Sequence, residues 1–82
     1  MNEFEYVIKD RNGIHARPAG LLAKKASSYD FDVMLECNGK VADIKRLLAI
    51  MSMGIKPGDK VKLRAPEGKD ISELKSFFEE NL

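Results

Sequence analysis

His15 is the only histidine in this 82-residue chain, and it lies in the segment Gly13-Ile14-His15-Ala16-Arg17-Pro18-Ala19. Pro18 reads as a first-turn helix residue, because a missing N–H costs nothing there and its fixed φ suits helix entry. Ala19, Leu22, Ala23 and Ala26 recur at helical spacing, so a helix runs on from Pro18 to about Tyr29. That spacing predicts His15 at the N-cap, beside the free backbone amides of Ala16 and Arg17 and the positive end of the helix dipole. A helix N-terminus of this kind is an anion site, and Arg17 adds a fixed cation whose fork fits phosphate. An imidazole there could accept a phosphoryl group and have the new negative charge stabilised.

A lone histidine in a small domain is more often a surface or capping residue than a chemical one, and Asn12 is the better capping type. What favours chemistry is convergence. Imidazole, guanidinium, two amides and a stiffening proline share one turn of chain.

The elements that must position this segment are short. Phe4, Tyr6 and Ile8 alternate with Glu3, Glu5 and Val7 as a first strand, and Asp10-Arg11-Asn12-Gly13 turns the chain into the first helix. The opposite face of that helix carries Arg17, Gly20, Lys24 and Ser27. Phe31, Val33, Leu35 and Cys37 alternate with Asp32, Met34 and Glu36 as a second strand. Asn38-Gly39 is a strong hairpin signal and folds Lys40 to about Asp43 back as a third strand. A short helix spans about Arg46 to Met53, closed by Gly54. Val61, Leu63 and Ala65 form the inward face of a fourth strand. Asp70 with Glu73 predicts a capping box for a last helix whose apolar stripe is Ile71, Leu74, Phe77, Phe78 and Leu82. Four short strands interleaved with helices point to an α+β fold, helices on one face of an antiparallel sheet.

The second helix is more apolar than a one-sided helix needs. Either Leu47-Leu48-Met51 or Ile50-Met53 should stay exposed, unless the helix is squeezed between two layers. An exposed Leu/Met patch flanked by Lys45 and Arg46 would be a docking surface for other proteins.

Composition narrows the classes. Fourteen basic and thirteen acidic residues leave a net charge of +1, and the basic residues form no single run, so nucleic acid is not an expected partner. With one cysteine, Cys37, and one histidine, neither a disulfide nor a metal cluster is expected, and no cofactor is implied. The acidic start Met1-Asn2-Glu3-Phe4-Glu5 is not a signal peptide, and the longest apolar run, Leu47 to Met51, is too short to enter a membrane. The expectation is one cytoplasmic domain over residues 1–82, acting as a monomer.

Two blocks then carry a resemblance: Gly13 to Ala19, and Ile50-Met51-Ser52-Met53-Gly54-Ile55 followed by Gly58-Asp59. At this separation they resemble the histidine-containing phosphocarrier family, HPr, of the bacterial sugar phosphotransferase system, over essentially the whole chain. The resemblance implies an open-faced β-sandwich, β-α-β-β-α-β-α, with strand order 1-4-2-3 and three helices on one face. It implies that His15 accepts a phosphoryl group on Nδ1 from phosphorylated enzyme I and passes it to enzyme IIA domains, with Arg17 balancing charge and Ala16 supplying a backbone amide. Such a protein is a stoichiometric carrier, not an enzyme. The resemblance further implies a shared docking surface from the first helix (Ala16, Gly20, Lys24, Ser27) and the second (Leu47, Leu48, Met51). In many members a serine opening the second helix is the target of a regulatory kinase. Here Lys45-Arg46 precedes Leu47-Leu48, so that hydroxyl is absent.

Two other functions remain compatible with these residues. A regulatory paralogue would use the same His15 without moving sugar. A passive binding module would need exposed aromatics or a basic stripe, and only six aromatic residues exist, mostly at core-spaced positions.

Overall fold

In a computed structural model covering residues 1–82, Phe4 and Ile8 are buried while Glu3, Glu5 and Val7 face solvent, so the predicted alternation forms a strand, β1 (Glu3–Val7). The same period of two gives β2 (Met34–Cys37), β3 (Lys40–Asp43) and β4 (Lys60–Arg64). Between them lie three helices, α1 (Ala16–Ala26), α2 (Leu47–Ser52) and α3 (Ser72–Asn81), in the order β-α-β-β-α-β-α. The four strands form one antiparallel sheet ordered β1-β4-β2-β3, with Phe4 opposite Leu63 and Leu35 opposite both Leu63 and Ala42. All three helices cover the face bearing these apolar residues. The other face is open and charged, and Glu3 meets Arg64 across it at 3.0 Å. This is the open-faced β-sandwich that the resemblance implies.

The β2–β3 turn is formed by Asn38 and Gly39 with φ of 53° and 80°, the paired positive values that a two-residue hairpin requires. The core is one cluster of 21 residues whose centre includes Phe78, Leu22, Leu35 and Leu63. Phe78 receives Phe4 and Tyr6 edge-on, at ring-centroid distances of 5.8 and 5.7 Å, which ties α3 to β1. Ile71, Leu74, Phe78 and Leu82 of the expected α3 stripe are buried and Phe77 is half-buried.

Several local expectations change. α1 stops at Ala26 rather than near Tyr29, because Ser27 and Ser28 turn their hydroxyls onto the carbonyls of Ala23 (2.9 Å) and Lys25 (2.6 Å). α2 is shorter at both ends than Arg46–Met53, with those two residues as its caps. β2 starts at Met34, although Val33 is buried as the alternation predicts. The capping box at α3 does not form. Asp70 accepts from the backbone N–H and hydroxyl of Ser72 at 3.0 and 2.6 Å, one step outside the helix, while Glu73 pairs with Lys25 of α1 at 3.1 Å. Glu73 therefore ties two helices together instead of returning to its own backbone.

α2 resolves in favour of one of its two alternatives. Ile50 and Met53 are buried, Leu47 is half-buried, and Leu48 is 79% exposed. No helix is long and apolar enough to cross a membrane.

Candidate functional site

His15 occupies the N-cap of α1, with extended backbone (φ −112°, ψ −177°), and its carbonyl accepts the N–H of Ala19 at 3.0 Å. Its ring makes no capping bond of its own. Asn12, the competing capping type, is instead in the preceding turn, where its N–H donates to Asp10 Oδ1 at 2.8 Å. The amides of Ala16 and Arg17 have no acceptor within the chain, as expected for the first turn of a helix. Pro18 is buried beneath them and contributes no N–H that would need a partner.

The loop before His15 is fixed from the far side of the sequence. Ile14 N–H donates to Ile55 O at 3.3 Å, and Gly13 N–H to Asp10 O at 2.9 Å. The carboxylate of Asp59 caps the neighbouring loop through Lys56 N–H at 2.9 Å, and Gly58 N–H reaches Ile8 O at 2.8 Å. The two sequence blocks that carry the resemblance thus lie against each other, and their meeting sets the direction in which α1 begins.

A small open cavity of about 170 Å³ sits at this helix start, lined by Asp10, His15, Arg17, Pro18, Leu21 and Asn81. His15 and Arg17 are brought together as the sequence predicts. Arg17 has no carboxylate within ion-pairing distance, so its guanidinium is available to an anion. Three members of this cavity, Asp10, Leu21 and Asn81, are not among the site residues that the sequence predicts. Asp10 reads locally as a turn residue, yet its Oδ2 faces His15 Nε2 at 4.0 Å. Leu21 falls outside the apolar stripe of α1 and is 47% exposed, four residues on from Arg17.

The remaining expected residues spread along the adjoining surface. Gly20 has open space where a Cβ would stand, Lys24 and Ser27 are exposed, and α1 packs beside α2. Leu48 and Met51 project from α2, Met51 being 38% exposed. The cations divide in two. Lys45 is engaged with Asp32 at 3.6 Å and Lys25 with Glu73, whereas Arg17, Lys24 and Arg46 have no acidic partner. Arg46 is the N-cap of α2 and offers no side-chain cap.

No group of three or more metal-ligating side chains occurs. Cys37 is buried in β2 far along the chain from this cavity, and burial followed by the nearby Asp59 charge pushes its thiol pKa up. All six aromatic side chains are buried or half-buried.

The family model for the PTS HPr component phosphorylation site matches residues 2–80. The chain belongs to the HPr family. Among solved structures it is similar to the histidine-containing phosphocarrier protein of a Mycoplasma, with 32% identity over 95% of this chain and 88% of that one, at a TM-score of 0.81. It is also similar to an HPr from Thermoanaerobacter tengcongensis, 36% identical over 98% of this chain and 89% of that one, at a TM-score of 0.79. An HPr dimer from the same organism matches with 36% identity over 98% of this chain and 91% of that one, at a TM-score of 0.64. Membership in the HPr family supports a phosphocarrier role in the phosphotransferase system.

Proposed function

We propose that the chain is a phosphoryl carrier in which His15 accepts a phosphoryl group from phosphorylated enzyme I and passes it to a histidine of an enzyme IIA domain. The observation that carries this reading is the N-terminus of α1: a ring without hydrogen-bond partners, two uncommitted amides at Ala16 and Arg17, and an unpaired guanidinium at Arg17. Phosphoryl transfer spreads charge over three equatorial oxygens and asks the protein mainly for positioning and electrostatic stabilisation. Two backbone amides, the helix dipole and one arginine supply a moderate amount of both. Moderate is what a carrier requires, since the phosphoryl group must leave as readily as it arrives.

The same reading assigns the partner surface to Gly20, Lys24 and Ser27 of α1 together with Arg46, Leu47, Leu48 and Met51 at α2. Its apolar centre is Leu48 and Met51, and Arg17 and Lys24 of the adjoining α1 and Arg46 at the start of α2 have no acidic partner, a pattern suited to acidic, transient partners. Arg46 carries no hydroxyl, so phosphorylation at the start of α2 plays no part in its control.

Reconstitution tests the reading. With enzyme I, an enzyme IIA domain and phosphoenolpyruvate labelled in its phosphoryl group, the label should pass through this chain to enzyme IIA. A chain that takes label but never delivers it would be a regulatory relative and not a carrier for sugar uptake.

A further inference from the structure

Asp10 is the only carboxylate within 4.0 Å of the His15 ring, and it is held by three backbone contacts. Its N–H donates to Leu82 O at 2.8 Å, its carbonyl accepts Gly13 N–H at 2.9 Å, and its Oδ1 accepts Asn12 N–H at 2.8 Å. The end of α3, the turn and the loop before α1 therefore fix one carboxylate. Its Oδ2 is left free and faces His15 Nε2 at 4.0 Å. A carboxylate oxygen only accepts, so it favours an N–H opposite it. Neutral imidazole carries one proton, and the nitrogen that finds an acceptor keeps it while the other holds a lone pair.

We propose that Asp10 is a positioning residue that fixes His15 as its Nε2–H tautomer and thereby presents Nδ1 as the nucleophile. This inference rests on the phosphoryl-carrier reading. The separation exceeds a direct hydrogen bond, and such contacts tighten when a reactant complex forms. In the transfer, the Nδ1 lone pair forms the new N–P bond while the P–N bond of the donor histidine breaks and its electron pair returns to the donor ring. The Nε2 proton does not move, so the phosphorylated His15 ring is cationic and Asp10 lies opposite its charge. When the group departs, the electron pair returns to Nδ1 and the neutral Nε2–H tautomer is restored. Both half-steps proceed without a proton donor or acceptor in the medium.

The test uses the Asp10→Asn variant. Its amide oxygen can still accept Asn12 N–H, which turns the NH₂ group toward His15. A donor now faces Nε2 and favours the opposite tautomer, a change of donor for acceptor that removes most activity where an aspartate orients the catalytic histidine of a serine protease. Nitrogen-15 correlation spectra of the full chain at pH about 9 read the tautomer directly. The parent should show mainly Nε2–H, Asp10→Asn should raise the Nδ1–H fraction severalfold, and Asp10→Ala should fall between them. Phosphoryl acceptance from enzyme I should drop about tenfold or more in Asp10→Asn, with the KM for enzyme I little changed.

A parent ring that is mainly Nδ1–H overturns the proposal whether or not the variants fold. So does a tautomer ratio identical in all three proteins, or an Asp10→Asn variant that accepts at the parent rate. A parent chain that enzyme I leaves unmodified overturns the carrier reading and the role of Asp10 in transfer with it, while the tautomer preference is measured independently of either.

Discussion

The carbonyl oxygen of Ile55 fills the space that a side chain at Gly13 would occupy. Gly13 has a φ of +63°, and a Cβ built there overlaps that oxygen and crowds Lys56 Cα at 3.0 Å. The loop that aims His15 is therefore pressed against the loop after α2, and the contact is backbone on backbone, where neither side can swing away.

Gly13→Ala should destabilise the fold by more than about 2 kcal/mol, since the left-handed backbone alone costs about 1–2 kcal/mol for an alanine and the overlap adds to it. Urea unfolding measures this. An alanine at Gly39, which also has positive φ but open space around it, should cost only the backbone part. Equal costs at the two positions would show that the Ile55 contact contributes nothing.

On the proposed docking role, α2 should separate stability from docking within one turn. Leu48 is 79% exposed and Ile50 is 1% exposed. Ile50→Ala should cost about 2–5 kcal/mol of stability through a core cavity. Leu48→Glu should change stability by less than about 0.5 kcal/mol. The same Leu48→Glu change should weaken phosphoryl transfer from enzyme I and to enzyme IIA by about 1–3 kcal/mol if Leu48 is a central contact. Unfolding curves and transfer kinetics on the same samples check both halves.

Arg46 stands at the positive end of α2 with no acidic partner. An HPr-type kinase with ATP should leave the chain unmodified, and mass spectrometry would reveal the contrary as a stoichiometric phosphate at Ser52 or elsewhere in α2. Arg46→Glu should slow phosphoryl acceptance from enzyme I, most clearly at low salt, where steering between charged surfaces is least screened.

The carboxyl of Asp70 is held below its ordinary pKa of 3.8, first by the Ser72 hydroxyl and then by the Ser72 backbone N–H. A depressed native pKa means that the folded state prefers the charged form more than the unfolded chain does. The resulting stabilisation is present above 3.8 and disappears as pH falls through the lower native value. Asp70→Asn should therefore lower the melting temperature at neutral pH, with the gap to the parent closing on acidification. A gap independent of pH would remove the charge from the explanation and leave only the geometry of the cap.

Much of this architecture is legible in local patterns. The alternation of Phe4, Tyr6 and Ile8 marks β1, Asn38-Gly39 fixes the hairpin, and Pro18 places His15 at the helix start. The pairing of β1 with β4 is not local, because nothing in either strand's own residues names a partner some sixty positions away; only the family resemblance implies that order. Side-chain destinations were equally hidden. Glu73 has the right spacing for a capping box, but Lys25 lies across the α1–α3 contact and competes for it. Asp10 looks like any turn aspartate until the fold brings the start of α1 back beside it. At Leu21 the helix periodicity itself held a signal, an apolar residue off the buried stripe and in line with Arg17.

The central claim is that His15 itself carries the phosphoryl group, and one measurement addresses it most directly. Parent and His15→Ala proteins are incubated with enzyme I and phosphoenolpyruvate, then compared by intact mass and by phosphorus-31 NMR. The parent should gain one acid-labile phosphoryl group per chain with the signature of Nδ1-phosphohistidine. His15→Ala should gain none while melting near the parent, because the half-exposed ring makes no hydrogen bond in the fold. Phosphorylation that persists in folded His15→Ala, or an unmodified parent under conditions where a known HPr is fully phosphorylated, would contradict the account.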